Sequence, residues 1–214
     1  MPKGYLPGFV FDERMSYGGR YRRVLPGGKL GQLVARSEIV AGLRTLNANS
    51  ARLLADLAED VVNGLLLPSD FQQAAMVTLR NLYNANSALA RGGWLQMDAA
   101  AFGRNGQLLR QEYVYLRQFS ADLASGNVTV AQARARAAMY IGRAFSRFNS
   151  EDQTMQVKYG KTEVLWVDTQ GPNECNRCPE LAAMGWVPIG AHGTVPGAGD
   201  TPCGGHCACL LEYR

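Results

Sequence analysis

A chain of 214 residues and 23.3 kDa has room for one domain, or for one domain plus a small module. Its 47% hydrophobic and 19% charged residues supply enough apolar side chain to bury a core, which excludes wholesale disorder. The net charge of +4 is mild and uneven: +5 over residues 1–36, +3 over residues 37–150 and −4 over residues 151–214. Arg outnumbers Lys 18 to 4, which suits planar ion pairs and phosphate contacts, yet a charge of +4 does not by itself make a nucleic-acid binder.

No apolar run reaches the roughly 18 residues that a membrane-spanning helix needs. Met1-Pro2-Lys3-Gly4 is followed by no apolar signal core. The expectation is a soluble protein made in a cytoplasm, with no membrane partner.

Residues 1–29 read as an extended N-terminal arm. Gly4, Pro7, Gly8, Gly18, Gly19, Pro26, Gly27 and Gly28 oppose regular helices and strands. Tyr5, Leu6, Phe9, Val10, Phe11, Tyr17 and Tyr21 are interspersed as anchors, for a partner surface or for the arm's own domain.

Residues 30–150 read as a helical body. One helix covers Leu33, Val40, Leu43 and Leu46, and a second carries Leu54, Leu57, Val61, Val62 and Leu65 on one face. Pro68 restarts the chain, and Ser69 with Gln72 has capping-box spacing. Ala75, Leu79, Leu82 and Leu89 mark the next helix, which Gly92-Gly93 stops. Trp94 to Phe102 suits a short helix broken by Gly103 and Gly106. Leu109, Tyr113, Leu116 and Leu123 mark another, stopped by Gly126. Thr129 and Gln132 give a second capping-box signal ahead of Ala133, Ala137, Ile141, Ala144 and Phe148. The sum is a bundle of about five or six helices with short connections. Arg136, Arg143 and Arg147 lie on nearly one side of the last helix, either as a phosphate-contacting face or as a solvated face paired with local acids.

Residues 151–162 are polar and read as a linker. Val164-Leu165-Trp166-Val167 is strand-like, and Cys209 to Tyr213 suits a closing strand.

The cysteines are the most informative feature. Cys175, Cys178, Cys203, Cys207 and Cys209, with His192 and His206, all fall in the last 40 residues, and the preceding 174 contain neither residue type. Cys175-Asn176-Arg177-Cys178, a gap of 24 residues, then Cys203-Gly204-Gly205-His206-Cys207-Ala208-Cys209 is metal-ligand spacing. A CxxC knuckle brings two thiolates to one ion, and a distant pair completes a tetrahedron around Zn²⁺. The favoured ligands are Cys175, Cys178, Cys203 and Cys207, with Cys209 and His206 as alternates. If the stretch is extended, Cys207 and Cys209 point in opposite directions and do not both reach one ion. The segment is rich in Gly and Pro and poor in apolar anchors, so it cannot rely on core burial. Zinc binding can add on the order of 10 kcal/mol to its folding.

Other chemistries fit less well. A strand followed by CxxC resembles a thioredoxin site superficially, but no βαβ pattern surrounds it and three further Cys stay unexplained. Five is odd for disulfides, and the expected compartment is reducing. A catalytic zinc wants an open position and a base, for which Asp168, Glu174 and Asp200 are the nearby choices without an HExxH signature. Gly197-Ala198-Gly199 lacks phosphate-loop spacing, and no Ser–His–Asp triad has a good base.

Trp166, a short polar stretch, Cys175-x-x-Cys178, a Gly/Pro-rich loop and the ending Cys203…Cys207-Ala208-Cys209-Leu210 resemble the C-terminal signature of minor head morphogenesis proteins of tailed bacteriophages, the Mu F-like group. The resemblance covers roughly residues 164–214. That family often ends in His-Pro-x-Cys-Arg-Cys. Here Cys203 stands near the His position, His206 directly precedes Cys207, and Ala208 replaces the Arg. The ligand choice therefore stays open among Cys203, Cys207, Cys209 and His206.

The resemblance implies a non-enzymatic virion structural protein, a minor head or portal-associated component acting in head assembly. The implied partners are a portal or major capsid protein, sister copies of the chain and packaged DNA, and the implied location is the virion head. The alternatives are a zinc-bearing nucleic-acid-binding module and, behind it, a thiol oxidoreductase. The expected fold class is mainly α: a helical bundle (30–150) with an extended N-terminal arm (1–29), a linker (151–162) and a small zinc-stapled C-terminal α+β module (163–214).

Overall fold

The computed structural model describes residues 9–11, 21–169, 175–204 and 207–214. Five long helices form the body: α1 (Arg36–Val62), α2 (Pro68–Arg91), α3 (Ala99–Ala124), α4 (Val130–Gly142) and α5 (Ala144–Lys158). Three short antiparallel strands, β1 (Phe9–Phe11), β2 (Tyr21–Val24) and β3 (Leu30–Leu33), precede them. The C-terminal module holds β4 (Glu163–Val167), α6 (Arg177–Ala183), β5 (Trp186–Pro188) and β6 (Leu210–Tyr213). Its sheet runs β5-β4-β6, with both outer strands antiparallel to β4. The chain is therefore a mainly α-helical bundle with a small C-terminal strand and cysteine module. Among the described residues, no helix is long and apolar enough to cross a membrane.

Local chemistry sets the helix ends. Asp98 caps α3, its Oδ1 accepting from the Ala101 N–H at 2.7 Å. Thr129 and Gln132 form the expected capping box on α4. Gly92, at φ +95°, turns the chain left-handed after α2, and the Gly93 N–H returns to the Ala88 carbonyl at 2.7 Å.

Several sequence expectations are corrected. The two helices expected before Pro68 are one, α1, because Asn47 on its buried face accepts from Asn86 Nδ2 of α2 at 3.4 Å. Ser69 makes no cap: Leu67 is the N-cap and Pro68 fills the first helical position, where its missing N–H costs nothing. Gly103 and Gly106 do not break the chain. They lie on the exposed side of α3, whose other face buries Ala101, Leu109, Leu116, Phe119 and Leu123. The last body helix is interrupted at Arg143 and becomes α4 and α5.

Residues 151–158, expected in the linker, continue α5, because Glu151, Asp152 and Met155 face inward. The arm expectation changes as well. Residues 1–8 and 12–20 lie outside the described residues, but β1 and β2 place parts of 1–29 in a regular sheet. Tyr21 is 3% exposed, and its hydroxyl donates to the Leu89 carbonyl at 3.1 Å. Burial of an aromatic anchor and a satisfied hydroxyl outweigh the Gly/Pro bias of the neighbouring residues.

Three apolar clusters organise the molecule. Leu54, Phe71, Leu79, Leu116, Phe119 and Ile141 centre the bundle, with Phe71 and Phe119 edge to face at 5.5 Å. Tyr21, Leu43, Leu89, Phe145 and Phe148 form a second cluster, against which Leu210 of β6 packs. Val164, Trp166, Leu181, Leu211 and the cysteines form the third, inside the module.

A carboxylate ties α2, α3 and α5 together beneath this packing. Glu151 is 1% exposed and accepts from Arg91 Nη1 (3.0 Å), Arg104 Nε (2.9 Å) and Arg147 Nη2 (2.7 Å). Arg91 also reaches Asp98 at 2.6 Å.

The module is docked on the body. Asn149 Nδ2 of α5 donates to the Pro196 carbonyl at 2.9 Å. Gly197, at φ +82°, lies so close to α5 that a Cβ there would meet the Ser146 nitrogen at 3.3 Å.

Candidate metal centre

Cys175 lies just ahead of α6 and Cys178 in its first turn, where the Cys178 N–H donates to the Cys175 carbonyl at 3.1 Å. Cys203 sits in a turn closed by Gly204 N–H to the Thr201 carbonyl at 2.8 Å. Cys207 and Cys209 lead into β6. Trp166, 1% exposed on β4, floors the site, with the His192 ring against its edge at 5.6 Å.

The sulfurs converge. Cys178 Sγ lies 3.5 Å from Cys175 Sγ, 3.7 Å from Cys203 Sγ and 3.9 Å from Cys207 Sγ. The sulfurs of Cys175, Cys178 and Cys203 are all within 4.8 Å of one another, and so are those of Cys178, Cys207 and Cys209. Four sulfurs at ~2.3 Å from one tetrahedral ion stand about 3.8 Å apart, so the three separations from Cys178 match the edge length of such a site. All five thiols are free, and these distances are far beyond the roughly 2.05 Å of a disulfide. The cluster can therefore hold a metal ion, with Cys178 as the vertex common to both triads.

The expectation that Cys207 and Cys209 point apart is overturned. Both are buried and both face Cys178. Residues 207–209 are not part of a strand, so the two-residue alternation does not apply to them. The Ala208 carbonyl between them is held by Thr169 Oγ1 at 2.8 Å. His206 lies outside the described residues.

The thiols are unequal. Burial pushes Cys175 up, but hydrogen bonds from the side chain and backbone of Cys203 and Cys178 reverse this and bring it to about 7. Cys209 is lowered to about 6, first by a hydrogen bond from Cys207, then against burial by Cys178, the Trp166 indole and the Thr169 backbone. Cys178 is pushed up by burial and by the thiols around it. Cys207 is pushed up by its hydrogen bond to Cys209 and by burial. Two thiols thus ionise readily and two resist, because a buried set of like charges is unfavourable without a cation. A divalent ion removes that obstacle, and ligation deprotonates a thiol outright.

Sequence reasoning named Asp168 beside the cluster only as a candidate base, and it missed Thr201 and Arg44. Asp168 Oδ1 is 3.8 Å from Cys209 Sγ, and Thr201 Oγ1 is 3.2 Å from Cys203 Sγ. Arg44 of α1 donates through Nη2 to the Ala208 carbonyl and, at 3.4 Å, to that of Cys209. Thr201 was within reach of a reading focused on flanking residues. Arg44, 164 positions from Ala208, carried no local signal.

The arginine face of the last body helix is paired. Arg136 meets Asp122 at 2.5 Å, Arg143 meets Glu112 at 3.0 Å, and Arg147 turns inward to Glu151.

The chain matches no family model, no curated protein and no solved structure.

Proposed function

We propose that the chain is a non-enzymatic structural component of a tailed-phage head, a minor head or portal-associated protein, with a C-terminal module stapled by zinc. The observation that carries this reading is the convergence on Cys178 of the cysteines that form the phage-like signature. Zinc suits the site because it takes four sulfur ligands in a tetrahedron and has no redox chemistry of its own. Cys175, Cys178, Cys203 and Cys207 hold it, with Cys209 as the alternate fourth ligand.

The module then acts as a rigid knob fixed to the helical body. The N-terminal residues and the body dock on portal, capsid or sister copies. Buried aromatic and apolar anchors supply most of the affinity, and arginines set register. The basic N-terminal half faces packaged DNA, and the acidic C-terminal part faces protein.

The test is to purify particles by density gradient from cells producing the chain with its phage neighbours, and to probe them for the chain. The reading expects the protein in particles, and its loss from them on Cys178→Ser. Particles free of the chain, with all of it in the soluble fraction, overturn the virion role.

A further inference from the structure

The metal reading does not by itself account for Arg44. Arg44 projects from α1 toward the segment just before β6. Its guanidinium is half-buried, stacks 5.3 Å from the centre of the Phe145 ring, and donates to the carbonyls of Ala208 and Cys209. The seam around it is a groove of about 350 Å³ lined otherwise largely by small and apolar residues such as Ala48, Ala51, Ile141 and Phe145.

We propose that Arg44 is a positioning residue of the metal centre: from the helical body it fixes the 207–209 turn by its carbonyls and supplies the positive charge that the thiolates need. Four thiolates around a divalent ion carry a net charge of about −2, and a half-buried guanidinium outside the ligands offsets part of it. Partners of this kind orient the ligands and typically account for about 10–100-fold in metal affinity. The contact also joins metal loading to the body, because α1 and the ligand turn share one side chain. This inference rests on the metal reading above.

The experiment uses the full chain as wild type, Arg44→Gln and Arg44→Lys. Zinc affinity is measured by competition with a chromophoric chelator, and cobalt(II) absorption reports thiolate ligation. Arg44→Gln is expected to bind zinc about 10–100-fold more weakly while keeping the wild-type cobalt spectrum at saturation. Arg44→Lys, which keeps the charge, is expected to recover most of the loss. Affinity of Arg44→Gln within about twofold of wild type, or Arg44→Lys as weak as Arg44→Gln, overturns the proposal and leaves the metal reading standing. A wild-type chain that binds neither zinc nor cobalt overturns both.

Discussion

Glu151→Gln tests the buried polar hub of the body. The Glu151 carboxylate is 1% exposed, and two of its three partners, Arg91 and Arg147, have side chains only 7% and 9% exposed. The amide removes the one charge that faces both. Arg91 Nη1 and Arg104 Nη2 each donate to Oε2 at 3.0 Å, so an amide nitrogen at that position sets N–H against N–H. Turned over, it opposes Arg104 Nε and Arg147 Nη2 instead, so neither orientation satisfies the cluster. Removing one partner of a buried ion pair costs about 3–5 kcal/mol. For a chain of this size that lowers Tm by roughly 6–20 °C.

Burial alone would raise the Glu151 carboxyl, but hydrogen bonds from Arg104 and Arg91 and the nearby arginine charges hold it below its ordinary value. Its contribution is therefore complete above the unfolded carboxyl value of about 4.3, and is lost as pH falls through the lower folded value. Urea unfolding followed by helix circular dichroism should show a wild-type-to-variant gap that is constant above about pH 4.3 and closes below it. Asp122→Asn, which breaks an exposed pair with Arg136, is the comparison and should cost less than about 1 kcal/mol. A Glu151→Gln cost equally small would show that the three arginines are not held by this carboxylate, and would refute the reasoning.

Gly103→Ala and Gly106→Ala should each stabilise the body by about 0.5–1 kcal/mol in thermal melts, because both sit in α3 and an added Cβ meets nothing within 4 Å; a loss of stability would show that these glycines serve a contact. Treatment with a strong chelator should open residues 163–214 to protease while the helices of residues 36–158 persist, since metal binding adds on the order of 10 kcal/mol to such a unit; an unchanged C-terminal cleavage pattern would count against the staple.

Elements that advertise themselves through apolar periodicity or cap chemistry were legible in the chain. Val164 to Val167 and Leu210 to Tyr213 became strands of one sheet, and Thr129 with Gln132 became a capping box. Polar residues that turn inward were not legible. Asn47 broke the apolar pattern of α1, and Glu151 and Asp152 read as linker, because their burial is compensated by partners on other helices. Gly103 and Gly106 misled for the opposite reason: the buried face of α3 outweighs their helix cost of about 1 kcal/mol each. At the site, residue type and spacing marked the five cysteines. The bend that brings Cys207 and Cys209 to the same side, and the reach of Arg44 across 164 positions, leave no local mark in the sequence.

The most direct measurement of the central claim is metal content together with X-ray absorption at the metal edge on the purified full chain. The account predicts one zinc per chain with four sulfur neighbours at about 2.3 Å. A metal-free chain whose residues 163–214 remain protease-resistant, or an ion bound mainly by oxygen and nitrogen, would contradict it.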